Sequence, residues 1–171
     1  MKDDKIHFII TGGTIDSYYE PTKETTVPNK NSTISRFIKT LKLYEAFEFS
    51  ELCMKDSREL TIKDVKKICE TIEKSPHKKF IITHGTYTMS DTARYLKANL
   101  KKKDKVIIFT GSMIPLSGFA PSDAPFNLGF AVAKLEDLQN GIYICMNGKV
   151  FSSKEAVKSL SEGRFVSSFA K

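Results

Sequence analysis

Hydroxyl side chains beside glycine recur in three short segments of the sequence. The segments are Thr11-Gly12-Gly13-Thr14, His84-Gly85-Thr86 and Thr110-Gly111-Ser112. A threonine or serine hydroxyl becomes a nucleophile when a base removes its proton, and the acyl-enzyme that it forms divides amide hydrolysis into two easier steps. Glycine in such a turn allows backbone N–H groups to approach a ligand closely. These residue types therefore favour acyl transfer through a hydroxyl group.

Other chemistries fit the sequence less well. The pair Gly12-Gly13 lacks the G-x-G-x-x-G spacing of a dinucleotide site, and no G-K-[ST] of a phosphate-binding loop occurs. Only His84 lies near the hydroxyl turns, and its side chain is expected to face the sheet packing, which disfavours a histidine-based triad. No two of the three histidines are spaced as metal ligands. We therefore expect no metal and no organic cofactor.

The elements that must position these turns are short strands alternating with helices. Five apolar, β-branched runs predict buried strands: Ile6 to Ile10, Phe47 to Leu52, Phe80 to Thr83, Val106 to Phe109 and Ile142 to Met146. Four segments between or after them repeat apolar residues at helical spacing, beginning near Ile34, Ile62, Met89 and Leu128. This alternation predicts a three-layer α/β/α domain with a mostly parallel, flavodoxin- or Rossmann-like sheet.

The three glycine turns each follow a predicted strand, so we expect them at one edge of the sheet. Ligands of open parallel sheets bind outside the carboxyl ends of the strands, and the turns should converge on one cleft there. Residues 15–32 and 114–125 are expected to be loops. Asn147-Gly148 predicts a tight turn that returns the chain as a hairpin strand from Lys149 to Phe151.

Composition excludes several classes of protein. The chain has 171 residues, enough for one domain, and a net charge of +7 from 27 basic and 20 acidic residues. Its lysines are spread along the chain rather than clustered with aromatic residues, so we expect no nucleic-acid partner. No apolar run approaches the roughly 18 residues of a membrane span.

The cysteines and the N-terminus bear on location. Three widely spaced cysteines, Cys53, Cys69 and Cys145, specify neither a disulfide framework nor a zinc site, and buried or half-buried thiols are expected. Only about five apolar residues follow the charged N-terminus, too few for a secretory signal, so a cytoplasmic protein is expected.

Four motifs and a following segment carry a resemblance to a known family. They are Thr11-Gly12-Gly13-Thr14-Ile15, Asp56-Ser57-Arg58-Glu59-Leu60-Thr61, Thr83-His84-Gly85-Thr86-Tyr87-Thr88-Met89, Thr110-Gly111-Ser112-Met113-Ile114-Pro115 and Ser122-Asp123-Ala124-Pro125-Phe126-Asn127-Leu128. In this order they resemble the N-terminal domain of the bacterial-type L-asparaginases. The resemblance implies a single domain over residues 1–171 without the family's C-terminal domain. It also implies hydrolysis of the side-chain amide of L-asparagine to L-aspartate and ammonia, without a cofactor.

The resemblance assigns roles residue by residue. Thr14 matches the nucleophile, and Thr86 matches a second catalytic threonine that works with a lysine. A tyrosine after the first motif assists Thr14 in the family; Tyr18 and Tyr19 are both in reach, and Tyr19 is preferred. The expected substrate-binding residues are Ser57, which would hold the α-carboxylate, together with Gly13, Asp56, Gly85, Tyr87 and Ser112. Backbone N–H groups of the glycine loops would form the oxyanion hole.

Two departures from the family pattern concern charge. The family has an aspartate at the position of Tyr87, where it accepts hydrogen bonds from the substrate ammonium, and a neutral phenol cannot replace that charge. Asp16, Asp56 and Glu59 are candidates to compensate. The catalytic lysine has no certain match either; Lys134 is the first candidate, Lys149 is the second, and a third alternative is that no lysine serves.

A third departure, the absent C-terminal domain, leaves the site more open or closed by a second copy of the chain. We expect a homo-oligomer, to which the segment 151–171 could contribute. Two alternatives to asparagine hydrolysis stay open. One is a weak or inactive protein that binds a small carboxylate or amino acid, and the other is a hydrolase of a different amide.

Overall fold

A computed structural model describes residues 5–169 of the chain. Within this range the four α-helices are α1 (Ile34–Thr40), α2 (Ile62–Lys74), α3 (Met89–Asn99) and α4 (Ala124–Asp137). The ten strands are β1 (Ile6–Gly12), β2 (Ser17–Glu20), β3 (Thr25–Pro28), β4 (Phe47–Lys55), β5 (Lys79–Thr83), β6 (Val106–Thr110), β7 (Gly141–Met146), β8 (Lys149–Ser152), β9 (Ala156–Ser159) and β10 (Arg164–Ser167).

Six strands form the central sheet in the order β4-β1-β5-β6-β7-β8. The first five run parallel to one another, and β8 pairs antiparallel with β7. From β1 the chain adds β4 on one side, and then adds β5 and the later strands on the other side. Because the order of strand addition switches between β1 and β5, the carboxyl ends of these two strands flank a crevice. The predicted mostly parallel α/β architecture is confirmed.

Helices cover both faces of the sheet, which makes the strands apolar on both sides. On one face, α2 and α3 pack over strand residues such as Ile9 and Ile82. On the other face, α1 and α4 pack over residues such as Phe8 and Ile81. Neighbouring residues of one strand thus enter opposite cores, which explains why the strands are continuous apolar runs rather than alternating ones.

Polar side chains fix the start of α2. Thr61 and Asp64 form a capping box, because the Asp64 carboxylate accepts from the Thr61 N–H and the Thr61 hydroxyl oxygen accepts from the Asp64 N–H. Asp64 also accepts a hydrogen bond from the Lys55 ammonium, 2.8 Å away at the end of β4. The Lys55 bond is the main cause that lowers the pKa of Asp64 to about 2. These contacts hold the segment between β4 and α2, which includes Ser57.

The structure contains two hairpins that the sequence analysis does not predict. Residues 15–32 contain the antiparallel pair β2–β3 rather than a loop alone, because Tyr18, Tyr19, Thr25, Thr26 and Val27 all favour extended backbone. The pair β9–β10 lies in the last part of the chain, where no strand was predicted. Both hairpins have strands of four residues, too short to show a clear alternating pattern.

The predicted turn after β7 is confirmed. Asn147 and Gly148 both have positive φ, 55° and 72°, as the tight turn of a two-residue hairpin requires. The chain then returns as β8, one residue longer than predicted.

The cysteines are free, with Cys145 buried and the other two half-buried, as predicted. Within residues 5–169, no helix combines the length and apolar character needed to cross a membrane. The same residues contain no cluster of three or more His, Cys, Asp or Glu side chains arranged to hold a metal ion.

His84 is fully buried beside the second glycine turn. Its Nδ1–H donates to the carbonyl oxygen of Gly85, 2.7 Å away, and its Nε2 has no partner within the described residues. The ring packs edge-on against Phe109, at 5.8 Å between centroids. Burial lowers the pKa of His84 to about 4, because a proton on Nε2 would place a charge where no acceptor meets it. His84 is therefore a packed, neutral residue, as the sequence favoured.

This burial predicts acid sensitivity. The unfolded chain binds a proton at His84 near pH 6.5, whereas the folded chain binds it only near pH 4, so stability is lost as pH falls between these values. The shift corresponds to roughly 3 kcal/mol of unfolding free energy lost by pH 4. Urea unfolding at several pH values would measure it, with His84→Gln as the comparison. Equal pH slopes for the two proteins between pH 6.5 and 4 would contradict the assignment.

Candidate active site

The three glycine turns meet at the carboxyl edge of the sheet through backbone contacts. A methyl group on Gly13 would overlap the backbone of Gly85, lying 2.5 Å from its Cα atom. A methyl group on Gly85 would in turn lie 2.7 Å from the Cβ and Oγ atoms of Ser57, and one on Gly111 would collide with the carbonyl oxygen of His84. Glycine is required at these positions because no side chain fits between the loops.

Gly13 also has a backbone conformation that favours glycine. Its φ of 83° and ψ of −179° lie in a region that other residues adopt only with strain. The following residues, Thr14–Asp16, form a single turn of 3-10 helix that starts directly beside Gly85. Thr14 is therefore placed by a rigid, close-packed turn.

Thr14 is partly accessible, and its hydroxyl has no hydrogen-bond partner within residues 5–169. Tyr19 follows on β2 and is 50% exposed. In a strand, Tyr19 shares a face with Ser17, whose hydroxyl donates to the Gly13 carbonyl oxygen at 2.8 Å. Tyr18 lies on the other face, where its hydroxyl donates to Glu20. The preference for Tyr19 over Tyr18 is consistent with this placement.

Thr86 has a lysine partner that the sequence did not indicate. The Nζ atom of Lys158 donates to the Oγ1 atom of Thr86 at 2.7 Å. Thr86 is buried and Lys158 is half-buried. An amine at this distance can hold the threonine hydroxyl in place, and in its neutral form it can take the hydroxyl proton.

The surroundings of Lys158 lower its pKa. Desolvation and the positive charge of Arg58 lower the pKa of Lys158, whereas the carboxylate of Asp56 opposes the change. The ring of Tyr87, whose centroid lies 4.0 Å from the ammonium, acts in the opposite sense, because an aromatic face stabilises a cation. A lysine whose pKa is lowered in this way is better suited to act as a base near neutral pH.

Neither of the two lysines expected from sequence forms a hydrogen bond with Thr86 in the structure. Lys134 is ten residues into α4, about 15 Å along a helix that begins at the site edge of the sheet. Its ammonium pairs with Asp137 at 2.7 Å in the last turn. Lys149 lies at the start of β8 with its ammonium over the ring of Phe151. Within the described residues, the lysine that is bonded to Thr86 is Lys158.

Lys158 reaches Thr86 because the β9–β10 hairpin packs against α3. The hydroxyl of Ser90, in the first turn of α3, donates to the carbonyl oxygen of Ala156 at 2.8 Å. Ala156 and Phe165 are buried in the core beneath the hairpin. Because α3 begins just after Thr86, this anchoring brings β9 alongside the second glycine turn.

Two of the predicted substrate-binding residues, Ser57 and Ser112, differ in where their hydroxyl groups lie and what they bond to. Ser57 is buried between Gly85 and Thr88, and its Oγ accepts a 3.4 Å hydrogen bond from the Thr88 N–H. Ser112 is also buried, but its hydroxyl donates to the carbonyl oxygen of Ile114 at 2.5 Å, which serves the loop itself. Ser57 thus lies at the meeting point of the glycine turns, whereas the hydroxyl of Ser112 is used locally.

Two of the three acidic candidates already have partners within the protein. Asp16 is turned into the protein, where one oxygen accepts hydrogen bonds from Asn29 and Thr33. Asp56 is bound through both oxygens by the Arg58 guanidinium, at 2.9 Å each. Glu59 is exposed at the end of the same turn. The Asp56–Arg58 pair lowers the pKa of Asp56 and holds it ionised.

The fold and the site define an α/β protein that gathers threonine hydroxyls and a lysine amine at the carboxyl edge of its sheet. The chain belongs to the asparaginase family, because the family model described as "Asparaginase, N-terminal" matches residues 5–168. The resemblance seen in the motifs is thereby confirmed.

Individual relatives are similar over part of their length. L-asparaginase 2 of Escherichia coli is 36% identical over 83 residues, covering 47% of this chain and 23% of the relative. L-asparaginase 1 of the same organism is 32% identical over 111 residues, covering 63% of this chain and 32% of the relative. The chain therefore spans about a quarter to a third of the curated relatives that it matches.

Known structures agree with the fold over almost the whole chain. A probable cytoplasmic L-asparaginase from Campylobacter jejuni superposes with a TM-score of 0.82 at 27% identity, covering 97% of this chain and 54% of that one. The thermostable L-asparaginase from Thermococcus kodakarensis gives a TM-score of 0.80 at 25% identity, with 95% and 51% covered.

The contact between Gly13 and Gly85 predicts a specific loss of stability. Gly13→Ala should lower the unfolding free energy by about 2–4 kcal/mol, because strain at positive φ adds to overlap with backbone. Gly118→Ala is the matched control: Gly118 has nearly the same φ, 82°, but nothing within 4 Å of an added methyl group. The control should lose only about 1 kcal/mol. Denaturant unfolding would compare them, and equal losses would contradict the steric explanation.

Proposed function

We propose that the chain is an amidohydrolase that hydrolyses the side-chain carboxamide of L-asparagine and compounds built like it, with Thr14 as the nucleophile. The observation that carries the proposal is the hydrogen bond from Lys158 to Thr86, beside the turn that holds Thr14. It pairs a hydroxyl with a base at the sheet edge where substrates of parallel α/β proteins bind. The L-asparaginase relatives support the reaction class.

The proposed first step forms an ester. The Thr14 oxygen attacks the amide carbon while its proton passes to a base, either Tyr19 or Thr86 backed by neutral Lys158. The carbon–nitrogen bond then breaks as the nitrogen is protonated, and ammonia leaves. Water attacks the acyl-threonine, which releases the carboxylate and restores the hydroxyl. The existing Thr86–Lys158 bond favours the second base.

Developing negative charge on the carbonyl oxygen needs donors. The N–H of Gly13 already donates to the Lys55 carbonyl oxygen at 2.9 Å, so it is not available. The N–H groups of Gly85 and Thr86 make no hydrogen bond within the described residues and are the donors we propose. One such donor lowers the barrier by about 3–4 kcal/mol in well-studied cases. We propose the buried Ser57 as the contact of the substrate carboxylate.

The wider context of the chain also belongs to the proposal. One structural neighbour is a probable cytoplasmic L-asparaginase, which supports a cytoplasmic location. A homo-oligomer and the absence of a cofactor stay predictions from the family resemblance.

Replacing the nucleophile tests the proposal directly. Thr14→Ala should reduce ammonia release from an amide substrate by about a thousandfold or more, because the acyl-threonine cannot form. Thr40→Ala, an exposed threonine at the end of α1, is the control and should keep wild-type activity. Mass spectrometry of acid-quenched enzyme should find the acyl group on the peptide containing Thr14. Equal rates for wild type and Thr14→Ala would eliminate Thr14 as nucleophile.

The choice of lysine is tested in the same assay. Lys158→Met should lower kcat by about 10²- to 10⁴-fold, because Thr86 loses its proton acceptor while an apolar chain of similar length remains. Lys134→Met removes a lysine paired with Asp137 far from the site and should change kcat little. If Lys134→Met proves the more damaging of the two, the assignment of Lys158 is wrong.

A further inference from the structure

The side chain of Tyr87 is in contact with two cations. It is 52% exposed beside Thr86. The Lys158 ammonium lies 4.0 Å from the ring centroid and the Arg58 guanidinium carbon lies 4.6 Å from it. A ring attracts cations through its electron-rich face, so Tyr87 gathers positive charge at the mouth of the site.

Two of the carboxylates near this ring are already paired. Both oxygens of Asp56 are bonded to the guanidinium of Arg58. Asp91, which lines the cavity of about 240 Å³ next to Thr86 and Lys158, is paired with Arg94 at 2.7 Å. Lys158 itself has no carboxylate within ion-pair distance among the described residues. Glu59 is exposed and acts on Arg58 through its charge without forming an ion pair within residues 5–169. The unpaired charge that lies against the ring of Tyr87 is therefore the positive charge of Lys158.

This positive charge discriminates between substrates. A substrate ammonium placed beside Tyr87 would meet the like charges of Lys158 and Arg58, and the nearby carboxylates Asp56 and Asp91 are already paired with arginines. Like charges in a partly desolvated site repel strongly enough to exclude a ligand. A ligand that carries only carboxylate and amide groups meets attraction instead.

We propose that this subsite selects dicarboxylic acid monoamides that carry no ammonium group, of which succinamate is the simplest, over free L-asparagine. The inference rests on the proposed amide hydrolysis and specifies its substrate class. Arg58, Tyr87 and Lys158 are then the residues that determine specificity. In the resting site Lys158 is the ammonium that donates to Thr86, and it releases this proton to solvent after the substrate has bound, before it accepts one from Thr86.

The direct test uses the full chain and measures ammonia release to compare kcat/KM for succinamate with kcat/KM for L-asparagine. Succinamate should be preferred by about tenfold or more. A preference for L-asparagine would overturn the inference while leaving amide hydrolysis in place. Hydrolysis of neither compound would count against the proposed function instead, and the binding test below then decides the inference.

Paired variants connect the preference to Tyr87. Tyr87→Asp adds a carboxylate that can receive an ammonium, so it should shift the kcat/KM ratio towards L-asparagine by about tenfold or more. Tyr87→Asn introduces a side chain of the same size as aspartate but without its charge, and it should not produce this shift. Tyr44→Asp makes the same change at a fully exposed tyrosine before β4 and should leave both rates unchanged. Equal ratios for Tyr87→Asp and Tyr87→Asn would overturn the electrostatic explanation.

Binding of product-like acids provides a test that needs no turnover. Isothermal titration calorimetry should show succinate, which has no ammonium, binding to the wild-type chain more tightly than L-aspartate does. The order should reverse in Tyr87→Asp. Tighter binding of L-aspartate to the wild type, or no difference between the two acids, would overturn the inference whatever the activity.

Discussion

The site depends on one close contact, between the backbones of Gly13 and Gly85 at the carboxyl ends of neighbouring strands. No side chain fits there, and Gly85 in turn leaves no space against Ser57. The contact turns three separate strand ends into one rigid edge, on which Thr14 and Thr86 directly follow the two glycines. A cavity or a larger residue at this point would move both hydroxyls at once, because the interior is too densely packed to absorb the change locally.

The sheet provides the rigidity that this contact requires. The strands β1 and β5 pair in parallel from Ile6 against Lys79 to Ile10 against Thr83, and helices bury both of their faces. The glycine turns therefore begin from strand ends whose positions are fixed to within the tolerance of a packed core. Loops that start from such a scaffold can hold reactive groups precisely while remaining accessible to a ligand.

The charged side chains of the site come from different structural elements than its hydroxyl groups do. The hydroxyls are fixed by the glycine turns, whereas the cations come from the turn after β4 and from the distant β9–β10 hairpin. Tyr87 is the point where Arg58 and Lys158 meet. Because electrostatic interactions act over several ångströms, a change at Tyr87 alters the ligand charge that the site accepts without moving the threonines.

The strand and helix order and the convergence of the glycine turns follow from the amino-acid sequence alone, since apolar periodicity and turn chemistry are local properties. The sequence does not indicate which of the 27 basic residues bonds to Thr86, or which partners the acidic candidates have. Lys158 stands on a strand of only four residues, and its position is decided by Ser90 and by the buried Ala156 and Phe165. Only the tertiary structure could settle this, because packing between residues some 70 positions apart, as in the Lys158–Thr86 bond, leaves no periodic signal along the chain.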